Sequence, residues 1–184
     1  MPRLFTGLQI PDSEVERLAG LQGRLPGARW VDPDNFHVTL RFIGDVDGPT
    51  ADAFVERLAE IEVPVLDLRV LGLASYGHKR PRVLYAAIEA NDTLDRLYRA
   101  HERAACAIGL EPERRKFSPH VTIARLNGTR PIELAQYLES YGPNEGTPFR
   151  AKQFVLYSSR SGGGGGPYIL EEVFPLSQAA HKSA

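Results

Sequence analysis

The chain has 184 residues, enough for one domain or two small lobes sharing a core. Apolar residues make up 42% and 22 basic residues balance 23 acidic ones, which argues against a disordered chain and removes any whole-molecule electrostatic grip on long nucleic acid. The single Cys106 excludes an internal disulfide framework, and no apolar run approaches the roughly 20 residues that span a bilayer, so a cytoplasmic, reducing setting with no membrane partner is expected.

Residues 3–10 read as a first strand, and the opening MPRLFTGLQI has no long apolar stretch with a cleavage site, so it does not read as a signal peptide. Pro11-Asp12-Ser13 opens a helix to about residue 24, with Leu18, Leu21 and Leu25 at helical spacing. The connection PGARWVDPDN leads into a strand at 36–43. A second helix covers about 50–61, with Ala53, Phe54, Leu58 and Ile61 as its apolar stripe, and residues 65–74 alternate as a strand. The order then begins again. A strand at 82–88 precedes a helix of about 92–108 capped at Asn91-Asp92, and the loop ERRKFSP enters a strand at 119–125. Pro131 starts a helix to about 140, and residues 149–159 form a strand. A last strand at 168–175 follows Ser161 and the run Gly162–Gly166, which reads as a mobile hairpin loop because no helix start follows to make it a phosphate cradle. Residues 177–184 are expected to be a flexible tail.

Five elements thus recur in order at offsets of about 79 to 84 residues, which marks a whole-unit duplication with units of about 1–80 and 81–176. The simplest fold is one α+β domain of two lobes about a pseudo-twofold axis. The strongest internal match is His37-Val38-Thr39-Leu40 with His120-Val121-Thr122-Ile123, which falls at that same offset. With five histidines and seven threonines in the chain, random order predicts only about 0.2 His-x-Thr pairs. A strand alternates its side chains, so each histidine shares a face with its threonine while the aliphatics point to a core.

Two histidines facing each other across a cleft suit a reaction that removes one proton while delivering another. In-line attack on a phosphodiester has that requirement: a neutral imidazole takes the proton of water, and an imidazolium protonates the departing ribose oxygen. Thr39 and Thr122 can donate hydrogen bonds to the non-bridging phosphate oxygens. An anionic ligand calls for nearby cations, and perfect alternation puts Arg41 on the face of His37 and Thr39, where it is expected to bind phosphate. Arg125 lies five residues after His120 and turns to that face only if the strand ends or bulges near Ala124. Phe117 and Tyr76 are candidates to stack on a base. The basic stretch Arg114-Arg115-Lys116 could be a solvated loop only, and His78-Lys79-Arg80-Pro81-Arg82 could contact RNA phosphates but reads more readily as a plain exposed turn. His101 is expected to be exposed, and Cys106 to lie on the apolar side of its helix. No Walker loop, zinc cysteine pairs or HExxH occur, and no carboxylate recurs beside both motifs, so neither metal nor cofactor is expected.

The paired HVTL and HVTI, together with RLFTGLQIP, RWVDPDNFHVTLRFIGDV, PRVLYAAI and FSPHVTIAR, resemble the 2H phosphoesterase superfamily, and within it the RNA 2′,3′-cyclic phosphodiesterases also called 2′-5′ RNA ligases. The likeness spans nearly the whole chain. It implies a bilobal fold with mainly antiparallel sheets lining a cleft and helices outside. It also implies metal-independent hydrolysis of RNA 2′,3′-cyclic phosphate ends to 2′-phosphomonoesters, with His37 as proton donor, His120 as proton acceptor and Arg125 as a phosphate ligand. The reverse 2′-5′ ligation and an ADP-ribose cyclic phosphate substrate belong to the same chemistry. The partners implied are RNA ends or small cyclic-phosphate nucleotides, with the protein a monomer. The alternative from another class is a non-catalytic RNA-end or nucleotide-binding module, for which two titratable groups would be superfluous.

Overall fold

The computed structural model describes residues 3–159 and 167–177; the glycine run Gly162–Gly166 and residues 178–184 lie outside the described residues. Strand β1 (Arg3–Gln9) has five successive buried residues, as a strand covered on both faces must. Helix α1 (Asp12–Ala19) stops at Gly20, earlier than the leucine spacing suggests, although Leu21 and Leu25 are still buried in the chain that follows. A three-residue strand β2 (Ala28–Trp30), too short to read from alternation, precedes β3 (His37–Asp45). Asp47 caps α2 (Gly48–Ala59) by accepting from the Thr50 N–H at 2.9 Å. The expected strand at 65–74 is broken at Arg69 into β4 (Leu66–Leu68) and β5 (Val70–Tyr76).

In the second unit β6 (Val83–Ile88) leads to α3 (Asp92–Ala107), where Asn91 Oδ1 accepts from the Leu94 N–H at 2.8 Å. β7 (His120–Leu126) and α4 (Pro131–Tyr141) follow; Pro131 stands at the first helical position, where a missing N–H breaks no bond. The strand expected at 149–159 is broken at Lys152, the counterpart of Arg69 in the repeat, into β8 (Phe149–Ala151) and β9 (Gln153–Ser159). β10 (Tyr168–Pro175) ends the described fold, and Ser177 is hydrogen-bonded through its backbone to Val63 and Val65.

The architecture is two antiparallel four-stranded sheets, β10-β9-β1-β3 and β5-β6-β7 with β2 beside β7, joined through a single pairing, Val38 opposite Val121. β4 and β8 form a separate two-stranded ribbon centred on Asp67 opposite Arg150. Each of these central pairs joins positions at the offset that relates His37 to His120. A residue paired with its own duplicate must sit on a twofold axis, so these two pairs define the pseudo-axis. It relates β3 to β7, β1 to β6, β9 to β5 and β8 to β4. Each sheet therefore mixes the sequence units: β9 and β10 of the second unit complete the sheet of β1 and β3.

The helices cover the sheet faces that the motif histidines do not occupy. Leu18, Phe54, Leu58, Leu94 and Leu97 pack with Val38, Val121 and Ile123 in one continuous core, while Leu134 and Tyr137 of α4 close a smaller cluster over Leu84, Ala124 and Leu126. Fully buried side chains such as Phe54 and Leu58 each contribute about 1.5–3 kcal/mol. That packing holds the motif strands rigid behind the cleft.

Candidate active site

His37 and His120 each open a motif strand, directly after a turn that fixes the ring. The His37 Nδ1–H donates to the Asn35 carbonyl at 2.7 Å, and the His120 Nδ1–H donates to the Ser118 carbonyl at 2.7 Å. Asn35 and Ser118 are themselves counterparts in the repeat, so one device serves both lobes. With Nδ1 committed to a carbonyl, Nε2 is the atom left for chemistry. His37 Nε2 lies 3.0 Å from Thr39 Oγ1. Both histidines and both threonines line one cavity of about 600 Å³.

Burial pushes His37 down to about 4; the Asn35 carbonyl opposes the shift and the nearby His120 adds to it. Burial also lowers His120, opposed by the Ser118 carbonyl. Both imidazoles are therefore neutral in the free protein at neutral pH. An anionic phosphate between them favours the imidazolium and raises both values.

The arginines depart from perfect alternation because each motif strand carries a β-bulge. Thr39 pairs with Gly7 and Arg41 with Thr6, so Leu40 is an extra residue and Arg41 turns to the face opposite Thr39. The backbone of Arg41 therefore departs from the expected alternation, but its side chain still lines the same cavity as both histidines. Arg41 is 8% exposed, and its Nε lies 2.7 Å from Glu102 Oε1 on α3. It also donates to the Glu111 carbonyl at 2.6 Å. Ile123 is the matching extra residue on β7, and there the same shift brings Arg125 onto the motif face with Thr122. Arg125 lines the cavity. Phe42, its counterpart in the repeat, holds the equivalent place in the first lobe and is 55% exposed.

Aromatic rings flank both histidines. Tyr157 and Tyr76 occupy equivalent positions, with ring centroids 5.6 Å from His37 and 5.4 Å from His120. Of the two stacking candidates, Tyr76 already stacks on Tyr85 at 4.3 Å and Phe117 on Tyr98 at 4.1 Å, so each offers one remaining face to the cavity it lines. Three residues with a bearing on the site were missed by the sequence reading. Tyr168 packs edge-on against His37 at 5.3 Å, and its N–H donates to Asn35 Oδ1 at 3.1 Å. Gly7 leaves room for the His37 ring: a Cβ there would stand 3.2 Å from His37 Cδ2 and 2.9 Å from the Val38 carbonyl. Phe42 was legible as the residue standing where Arg125 stands in the second unit.

Two expectations away from the cleft are corrected. His101 is fully buried against Phe154, with ring centroids 4.6 Å apart, and burial pushes it down to about 4. Cys106 is exposed. In the basic loop, Arg115 is engaged by Glu113, whose carboxylate it holds well below the usual range. Among the described residues no three His, Cys, Asp or Glu side chains are grouped to hold a metal ion, and no helix is long and apolar enough to cross a membrane.

The model of the LigT-like phosphoesterases matches the chain twice in succession, over residues 8–85 and 87–168. The chain is similar to the RNA 2′,3′-cyclic phosphodiesterase of Aeropyrum pernix, at 37% identity over 77% of this chain and 88% of the relative. It is similar to the RNA 2′,3′-cyclic phosphodiesterase of Aquifex aeolicus at 32% identity, over 80% and 81% of the two chains. Two solved structures have the same fold: Escherichia coli LigT complexed with 3′-AMP (TM-score 0.78, 22% identity, 97% of this chain and 100% of that one), and a Thermus thermophilus protein (TM-score 0.76, 24% identity, 96% and 99%).

Proposed function

The chain belongs to the LigT-like phosphoesterase family, and on that premise we propose that it hydrolyses RNA 2′,3′-cyclic phosphate ends to 2′-phosphomonoesters by paired-histidine acid/base catalysis. The observation that carries the reading is the matched pair of Nε2 atoms, each ring locked by a carbonyl two residues back, in one cavity. The relatives at 37% and 32% identity bear the name of that activity.

His120 Nε2 takes a proton from water as the water oxygen attacks phosphorus. The P–O3′ bond breaks in line with the attack, and the imidazolium of His37 gives its proton to O3′. The product carries a 2′-phosphate and a free 3′-hydroxyl, so charge and protons balance. Thr39 and Thr122 donate to the non-bridging oxygens, and Arg125 faces the negative charge that grows there. The direction of transfer, His37 as donor and His120 as acceptor, is the one the resemblance to the family implies. Arg41 lines the same cavity, but its guanidinium is taken up by Glu102 and the Glu111 carbonyl, so it takes no phosphate in this mechanism.

The test is incubation of a nucleoside 2′,3′-cyclic phosphate with the protein in EDTA, followed by identification of the monophosphate isomer. Turnover to the 2′-isomer supports the reading. The 3′-isomer reverses the geometry, and stoichiometric binding without turnover favours the nucleotide-binding module.

A further inference from the structure

The walls of the cleft differ chemically. On the first sheet one cross-strand row facing the motif side runs Phe42, Phe5, Tyr157, Leu170, with exposed apolar side chains at both ends. The equivalent row on the second sheet runs Arg29, Arg125, Val83, Tyr76, in direct register across β2, β7, β6 and β5. Residues directly opposite on antiparallel strands share a face, so Arg29 and Arg125 project side by side. Val31, two residues beyond Arg29 and on the same face, lines the cavity, as Arg125 does. Both arginines are exposed, and among the described residues neither has a carboxylate partner.

Arg29 is held there by a close backbone crossing. Gly27 has φ +77°, and a Cβ on it would stand 2.3 Å from the Asn127 carbonyl, so β2 can lie against the end of β7 only with glycine at this position. The Asn127 N–H donates to the Gly27 carbonyl at 2.9 Å, and Thr129 Oγ1 donates to the Pro26 carbonyl at 2.6 Å.

An RNA strand carries one negative charge per nucleotide, and these must leave the catalytic cavity over one wall or the other. The first lobe offers Phe42 and Leu170, against which a phosphate would lose its water for nothing in return. The second offers a guanidinium whose planar fork matches two phosphate oxygens. We propose that Arg29 is a second phosphate ligand, holding the phosphodiester immediately 5′ of the cyclic phosphate, so that the protein favours the ends of RNA strands over free nucleoside cyclic phosphates. The proposal deepens the cyclic-phosphodiesterase reading and rests on it.

The test compares kcat/KM for a nucleoside 2′,3′-cyclic phosphate with that for the dinucleotide that adds one upstream phosphodiester. The intact protein should favour the dinucleotide. R29Q should lower that preference by about tenfold, the scale of one charge-assisted hydrogen bond. For the dinucleotide, R29Q should also flatten the dependence of log kcat/KM on log salt by about 0.7. R96Q, on the outer surface of α3, should leave the preference unchanged. An unchanged preference in R29Q overturns the proposal, and so does a loss in K116Q but not R29Q, which would route the strand over the 111–118 loop. If the intact protein turns over neither substrate, the cyclic-phosphodiesterase reading itself is overturned.

Discussion

Val121 lies directly opposite Val38 at the one point where, among the described residues, the two sheets pair, and the offset between these valines is the offset between His37 and His120. Each valine is flanked by its own histidine and threonine, so the pairing brings two copies of one strand together into a single cavity. The bulges at Leu40 and Ile123 obey the same symmetry, but their consequences differ because the residues that follow differ. In the second lobe the bulge presents Arg125 to the cavity, and in the first it presents Phe42 and buries Arg41. A symmetric frame thus carries an asymmetric site, as a substrate with one leaving group requires.

The pH dependence of turnover should be bell-shaped, with two macroscopic constants belonging to the coupled histidine pair. Burial lowers both histidines in the free protein, whereas a bound phosphate anion raises both. The kcat profile should therefore lie at higher pH than the kcat/KM profile, which reports the free protein. A profile flat between about pH 5 and pH 9 would count against histidine acid/base work.

Stability should fall in acid through His101. Its folded value of about 4 is below the ordinary 6.5, so the unfolded chain binds the proton more readily. Above about pH 6.5 the group has no effect; between there and about pH 4 it destabilises progressively, by roughly 3 kcal/mol in all. Thermal melts of the intact protein and of His101→Leu should diverge in sensitivity over that window, the variant losing less. Parallel melting curves across the window would show that the imidazole is not the cause.

Arg41 should behave as a strut. It ties β3 to Glu102 and to the Glu111 carbonyl, and the second carboxylate oxygen of Glu102 accepts from the Glu113 N–H at 3.0 Å. These contacts anchor the 111–118 loop that forms one wall of the cavity. Arg41→Met leaves Glu102 largely buried without its partner and should cost about 3 kcal/mol in denaturant unfolding. The double variant Arg41→Met/Glu102→Leu should recover most of that stability, and much of the activity with it. Recovery of stability without activity would restore Arg41 as a phosphate ligand.

Gly7→Ala should move the His37 ring, because the new methyl would meet Cδ2 at 3.2 Å and the Val38 carbonyl at 2.9 Å. Steady-state kinetics should show kcat down by about 10- to 100-fold with a smaller change in KM, since the group displaced acts in the chemical step. An unaltered kcat would mean that the ring tolerates the displacement.

Much of this was legible in the sequence. The internal repeat placed the two histidines in one cleft, and Asn91 capped its helix as expected. The bulges were not legible for β3, because a bulge is a property of register against β1 and appears only when the partner strand is known. A bulge near Ala124 does turn Arg125 to the motif face, and the same reasoning applied to Leu40 would have turned Arg41 away. The exchange of β9 and β10 into the first sheet was hidden for a similar reason, since strand order depends on partners distant in sequence. His101 had a readable signal. It falls on the stripe Leu94, Leu97, His101, Ala104, and its charged neighbours Glu102 and Arg103 obscured that spacing. The same stripe leaves Cys106 facing outward.

The most direct test of the paired-histidine account is single-turnover hydrolysis of a 2′,3′-cyclic phosphate by His37→Asn, His120→Asn and the double variant, with folding checked by melting. Each single variant should lose about 10²- to 10⁴-fold in rate, and the double variant should be little slower than the worse single, because acid and base act as one unit. Turnover in either single variant at the rate of the intact protein would contradict the account.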